Sequence, residues 1–305
     1  MPRYQQSKHA LGSEVMLTLV VPGKAQAETA FVRLWAMIDA FENRFSRFRE
    51  DSELAAFNAR AGTPTEVSAP FHGLLSTARK MARLTDGLYN PLILPALQKA
   101  GYKGSWPNVA GVSDALNYED RNLASAEDIV ITRTAAAIPG DTALDFGGIG
   151  KGYLLDQLAN VLHGLGIDNY WLSLGGDILC NGLDETNESW NIVIQDAHNS
   201  KASAGSICNR GRRLAVATSG ITKRKGPGWH HIIDPRTGRS ADTDILTATV
   251  CSKSATEADV FAKCLVILGN VDSPQFMSQH NLTNVLIQTD AAKNSVLKMG
   301  DAWLN

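Results

Sequence analysis

With 305 residues, 29 basic against 31 acidic side chains and a net charge of −2, the chain lacks the basic excess that nucleic acid or an anionic membrane selects in a partner. A hydrophobic content of 44% suits a sizeable core, in one large domain or two ordinary ones. Cys180, Cys208, Cys251 and Cys264 lie far apart in apolar or strand-like runs without CxxC spacing, which argues against a zinc site or disulfide framework and for buried thiols in a reducing compartment.

The first residues carry basic side chains but no uninterrupted apolar h-region, because Glu14 breaks the run, and no stretch of about 20 apolar residues occurs. The expectation is a soluble, cytoplasmic protein with no membrane span. GSEVMLTLVV alternates as a strand. Phe31, Leu34, Trp35, Ile38, Phe41, Phe45 and Phe48 then recur every three or four residues and predict a long amphipathic helix. FREDSELAAFNARAG reads as a loop and short helix. Ser68 caps a further helix whose apolar stripe is Phe71, Leu74, Leu75, Ala78, Met81 and Ala82. TDGLYNP breaks it, and LILPALQKAGY adds a short helix.

Residues 103–142 are weakly patterned, with short strands expected. From Ala143 the chain reads strand, glycine turn and helix, with Ile149, Tyr153, Leu154, Leu158, Val161 and Leu162 on one face. YWLSLGGDILCNG, SWNIVIQD, RLAVATSG, HHIIDP and ILTATVCS read as strands. Ser254 and Glu257 fit a capping box opening another helix, and TNVLIQTD is a late strand. Strands and helices mix without regular βαβ alternation, which favours an α+β fold, one domain over residues 1–305 with two lobes and an uncertain boundary between them.

The run ALDFGGIGKGYLLDQLANVL decides little alone. A phosphate-binding P-loop needs glycine six residues before Lys151 and Ser or Thr after it; Asp145 and Gly152 stand there instead. A dinucleotide GxGxxG fails too, since Tyr153 falls where the third glycine belongs. What remains is a tight turn into a helix with Lys151 near its start; on the motif alone a glycine turn carrying a solvated lysine is favoured over a site for an anion such as pyrophosphate. ATSGITKRKGPGWHHIIDPRTGRSADT gathers cations, two histidines and an acid, and is a basic hairpin on the bland reading. FSRFREDSEL joins aromatics to charges, and SLGGDILCNG places a double glycine after a strand.

Taken in order, ALGSEVMLTL, FSRFREDSELAAFN, TDGLYNPLILPAL, LDFGGIGKGYLLD, SLGGDI, ATSG, HHIIDPRTGR and SATEADVFAKCLVILG resemble the ApbE family of flavin transferases over most of the chain. The resemblance implies an α+β, T-fold-like architecture with FAD in a cleft between two lobes and Mg²⁺ on the pyrophosphate. It implies FAD contacts at Leu11, Phe48, Leu88, Tyr89, Asn90, Asp145, Lys151 and Ile233, and metal contacts at the Gly148 carbonyl and Asp259. A third metal ligand is usually a threonine four residues further on. Here that position is Lys263, a donor-only ammonium that cannot coordinate Mg²⁺. Two readings stay open: an i,i+4 Asp–Lys helix pair, or an ammonium standing in for the metal and neutralising the diphosphate. Either way occupancy of a Mg²⁺ site is in doubt.

The activity implied is FAD:protein FMN transfer to a Thr or Ser hydroxyl of a target protein, with AMP released. Lys151 is the candidate phosphate clamp and His231 the candidate base, with a histidine that merely orders the hairpin as the alternative. Arg224 and Arg236 either touch phosphate or face water. The competing function is an FAD-binding or FAD-splitting relative without transferase turnover, because Lys263 replaces the metal-ligand threonine.

Overall fold

A computed structural model describes residues 1–102, 104, 123–290, 296–300 and 303–304. Helices among the described residues are α1 (Lys24–Phe45), α2 (Glu53–Asn58), α3 (Ala69–Leu84), α4 (Leu94–Lys99), α5 (Gly150–Gly164) and α6 (Ala255–Gln279). The chain divides into two compact units. The first comprises Met1–Ala40, Lys151–Gly220 and Asp244–Asn305; the second comprises Phe41–Gly150 and Ile221–Thr243.

The first unit is built on an eight-stranded antiparallel sheet whose spatial order follows the chain. Its strands are β1 (Arg3–Ala10), β2 (Ser13–Val20), β3 (Tyr170–Leu174), β4 (Asp177–Asn181), β5 (Leu214–Gly220), β6 (Ile245–Ser252), β7 (Val285–Thr289) and β8 (Val296–Met299). One face packs Val20, Cys180, Val216, Cys251 and Leu286 against Ile192, Ile194 and Ile207 of a smaller three-stranded sheet. Residues alternating with these, such as Val250 and Ala248, point the other way, where α6 packs on β5 and β6. The antiparallel layering with helices agrees with the α+β reading. No described helix is long and apolar enough to cross a membrane, and none of the four cysteines is in a disulfide.

The second unit holds the end of α1, helices α2 to α4, and short strand pairs. Its core is aromatic: the Phe71 ring lies 4.9 Å from Phe57, 5.8 Å from Phe146 and 5.9 Å from Phe45. Ser68 caps α3 and Ser52 caps α2, each side-chain oxygen accepting from a backbone N–H three residues on.

Four expectations need correction. β1 escapes the sequence pattern because it is an edge strand with almost every residue exposed, so nothing alternates. Ala143–Phe146 is not a strand, although residues 144–146 are buried: the Asn58 side chain donates to the Leu144 carbonyl and accepts from its N–H, standing in for a neighbouring strand. Phe48 lies beyond the end of α1 and is exposed. The capping box at Ser254 is half made. Ser254 Oγ accepts from the Glu257 N–H, but the Glu257 carboxylate accepts from Ser252 instead. Of the strands expected in 103–142, Val130–Ile131 and Ala135–Ala137 are present, and much of the rest lies outside the described residues. HHIIDP contributes only Ile233–Asp234, paired with Arg239–Ser240 around the DPRTG turn, and one residue of Trp229–His230.

Candidate functional site

In the first unit the candidate residues gather where two hairpins turn. Leu11 and Gly12 connect β1 to β2, and both have positive φ, 56° and 66°. Such a two-residue turn suits a twisted hairpin, but a leucine in it is strained by roughly 1–2 kcal/mol. Gly175 and Gly176 turn β3 into β4 with φ of 61° and 97°. A Cβ on Gly175 would lie 2.7 Å from Ser13 Oγ and 3.9 Å from Lys151 Cδ, so the glycine lets both neighbours approach. Immediately after this turn stands Asp177, whose carboxylate accepts from the Lys151 ammonium. Lys151 lies in the first turn of α5, where unpaired backbone N–H groups make the helix end electropositive. Burial pushes the Asp177 carboxyl above its ordinary range, the Lys151 ammonium pulls it back, and the nearby Asp259 carboxylate adds to the push.

A second ion pair joins this one. Asp259, 3% exposed on α6, accepts from the Gly152 N–H at 3.2 Å through Oδ2 and from Lys263 Nζ at 2.7 Å through Oδ1. Lys263 also donates to the Asp259 carbonyl at 3.2 Å and to Ser219 Oγ at 3.4 Å. The i,i+4 pair is therefore formed, with its carboxylate buried and its ammonium partly so. Gly152 is required for this approach, because a Cβ there would run into the Ala255 carbonyl and stand 2.9 Å from Asp259 Cβ. Asp156, one turn further along α5, binds α6 at its start: its carboxylate accepts from the Ala255 and Thr256 N–H groups, the Ser254 and Thr256 hydroxyls and Arg213. The acid satisfies N–H groups that the helix start leaves open and sits at the favourable end of its dipole.

In the second unit Asp145 is buried; its carboxylate forms an ion pair with Arg47, Nε lying 3.0 Å away, and accepts from the Gly147 N–H at 2.7 Å. The Arg47 guanidinium lies 4.3 Å from the Phe48 ring centroid and 4.6 Å from that of Tyr102, and donates to the Tyr102 carbonyl. The Leu88, Tyr89 and Asn90 run follows α3. The Leu88 N–H donates to the Thr85 carbonyl, and Tyr89 is buried with its N–H on Thr85 Oγ1. Asn90 donates to the Ala124 carbonyl and accepts from the Leu92 N–H. Gly148 sits in the turn before α5, in which the Phe146 carbonyl accepts from the Ile149 and Gly150 N–H groups. Ile233 is buried with Leu97, Tyr102 and Trp229, and the His231 ring meets Tyr102 edge-on at 6.3 Å. Arg236 is held on Asp234, and the Arg224 carbonyl accepts from the His231 N–H.

The structure thus brings Leu11, Lys151, Asp259 and Lys263 together within one unit, and Phe48, Asp145, His231 and Ile233 within the other. Three charged residues went unnamed in the sequence: Arg47, Asp156 and Asp177. Asp177 was within reach, since it follows the double glycine directly. Arg47 lies between Phe45 and Phe48 and reads as an ordinary helix-end cation. Asp156 gives no local sign, because most of its partners are about 100 residues away. Among the described residues no group of three or more His, Cys, Asp or Glu side chains is arranged to hold a metal ion.

Comparison with known proteins bears on this arrangement. A family model described as the ApbE family matches residues 11–287. The FAD:protein FMN transferase of Vibrio cholerae is 29% identical over 256 residues, spanning 81% of this chain and 76% of that protein. The FAD:protein FMN transferase of Treponema pallidum is 28% identical over 264 residues, spanning 80% and 73%. The solved structure of the flavin transferase ApbE from Vibrio cholerae is similar in fold, with a TM-score of 0.83 at 24% identity over 99% of this chain and 98% of that one. With the model match running over nearly the whole chain, and the motifs in its order, this protein belongs to the ApbE family.

Proposed function

We propose that this chain is an FAD:protein FMN transferase acting as a single functional domain. The observation that carries the reading is the family match over residues 11–287, with similar proteins named for that activity across most of their length. The chemistry is a phosphoryl displacement. A Thr or Ser hydroxyl of an acceptor protein attacks the phosphorus of the FMN half of FAD. A new P–O bond forms, the bond from that phosphorus to the bridging oxygen breaks, and AMP leaves with the bridging oxygen.

Lys151 and the N–H groups at the start of α5 attract the diphosphate and offset charge as the bond breaks. His231 takes the hydroxyl proton, as a side chain whose ordinary pKa lies near 6.5. Leu11, Phe48, Leu88, Tyr89, Asn90, Asp145 and Ile233 hold the dinucleotide. The Arg47–Asp145 ion pair fixes the Asp145 carboxylate in orientation. A divalent ion at Gly148 and Asp259 fits the residues of this chain poorly, since both Asp259 oxygens are engaged and Lys263 can only donate. No step is therefore routed through one. Four cysteines outside any disulfide support a cytoplasmic setting.

Incubation with FAD and a flavin-accepting protein domain tests the reading, with AMP followed by chromatography and flavin fluorescence followed on the denatured acceptor. AMP with a fluorescent acceptor supports the transferase. AMP with free FMN and an unlabelled acceptor identifies an FAD-splitting relative, and intact FAD recovered with the chain identifies a binding protein.

A further inference from the structure

The Asp259–Lys263 pair is closed. An ammonium has three donors, and Lys263 Nζ has three acceptors within reach: Asp259 Oδ1 at 2.7 Å, the Asp259 carbonyl at 3.2 Å and Ser219 Oγ at 3.4 Å. The other oxygen of Asp259 accepts from the Gly152 N–H. The Asp259 side chain is 4% exposed and that of Lys263 19%. Beside it, Lys151 meets Asp177, whose side chain is 5% exposed. Two buried acids and two partly buried lysines thus cancel in one cluster on α5, α6, β4 and β5. A divalent cation reaching Asp259 would have to expel the ammonium from its carboxylate or sit beside it as a like charge. The first breaks a hydrogen-bonded pair whose carboxylate is buried, the second sets like charges side by side, and both are costly.

We propose that Lys263 is a built-in cation that replaces the divalent metal in this chain, so that Asp259 binds no Mg²⁺ and an organic diphosphate is bound here without one. The ligand class, FAD or a similar dinucleotide, rests on the function proposed above; the exclusion of the metal does not. Lys263 is fixed by its helix and by Ser219, and it offsets the Asp259 charge without any loading from solution. The arrangement exchanges the larger charge of a metal for permanent occupancy. Transfer by this chain is accordingly indifferent to chelators, whereas a site that recruits Mg²⁺ loses function in them.

The test is Mn²⁺ binding, read by electron paramagnetic resonance of the free ion, on the full chain and on Lys263→Thr, Lys263→Met and Asp259→Asn variants. Circular dichroism melting confirms that each variant is folded. FAD affinity of the unaltered chain is measured alongside in EDTA and in Mg²⁺. The unaltered chain is expected to take up no stoichiometric Mn²⁺ and to bind FAD within about twofold equally in both buffers. Lys263→Thr is expected to gain one Mn²⁺ site, tighter by about tenfold or more than any residual binding to Lys263→Met. One Mn²⁺ per unaltered chain, lost in Asp259→Asn, overturns the proposal, as does an FAD affinity that collapses in EDTA. If Lys263→Thr does not fold, the unaltered chain in the two buffers still decides. Absence of FAD binding in both buffers is a failure of the proposed function, and the Mn²⁺ result then stands by itself.

Discussion

The two units solve the same problem, holding charge in a buried place, by different means. In the first unit the acids and lysines stand on regular elements. Asp177 opens a strand, Lys151 opens α5, and Asp259 and Lys263 sit one turn apart on α6. In the second unit Asp145 lies in irregular chain, and its arginine comes from the turn just after α1, with two aromatic rings beside it. The first unit fixes its charges by sheet and helix register. The second depends on side chains that replace backbone partners, as Asn58 does at Leu144. The second arrangement has fewer redundant supports, so single substitutions there should cost more.

The largest expected effect tests that directly. Arg47→Met leaves a buried carboxylate without its cation and should cost about 3–5 kcal/mol in denaturant unfolding, with partial recovery in Arg47→Met/Asp145→Leu. A loss of only a few tenths of a kcal/mol would mean the pair is redundant and the contrast between units is wrong. Next comes Gly152→Ala in the first unit, where the new methyl meets the Ala255 carbonyl. A loss of about 1–3 kcal/mol is expected, with weakened coupling of α5 to α6 seen as faster amide exchange at the start of α6. Unchanged stability would show that the two helices can separate freely.

A smaller effect, of opposite sign, is expected at Leu11. Leu11→Gly relieves the positive φ and should stabilise the fold by up to roughly 1 kcal/mol while weakening FAD binding, as strain held for a ligand contact requires. Destabilisation with FAD affinity intact would show that the leucine is kept for packing alone.

The smallest effect compares one histidine from each unit. Burial holds His230 below its ordinary pKa, against the raising influence of carbonyls including that of Ala241, and burial lowers His280 as well. Above about pH 6.5 both are neutral folded or unfolded and contribute nothing to the pH slope. As pH falls through 6.5 the unfolded chain takes protons first, so stability drops until the lower folded pKa is passed. The melting temperature should therefore be lower at pH 5.5 than at pH 7.5. His230→Gln and His280→Gln should each flatten that slope, and a slope that neither variant changes would assign it to other groups.

How much of this was legible in the sequence follows the same division. α1, α3 and α5 show their 3.6-residue stripes, and the hairpin Tyr170–Asn181 shows its double glycine, because local pattern and tertiary burial agree there. β1 is exposed on an edge and carries no stripe. The kink in α6 at Gly269, with φ of 70°, was equally silent, since one glycine in an apolar run has many readings. At the site, Asp259 and Lys263 could be paired from their spacing alone. Asp156 and Arg47 could not, because their partners are distant in the chain. Fold and family came from motif order, whereas the neutralised charge cluster needed the structure.

Titration of FAD into the chain in EDTA, followed by calorimetry beside a Lys151→Met variant, probes the account most directly. One FAD per chain, bound saturably and weakened about tenfold or more by the variant, is the predicted result. A flat titration for the unaltered chain, or equal affinity in both proteins, would contradict a diphosphate held at the start of α5.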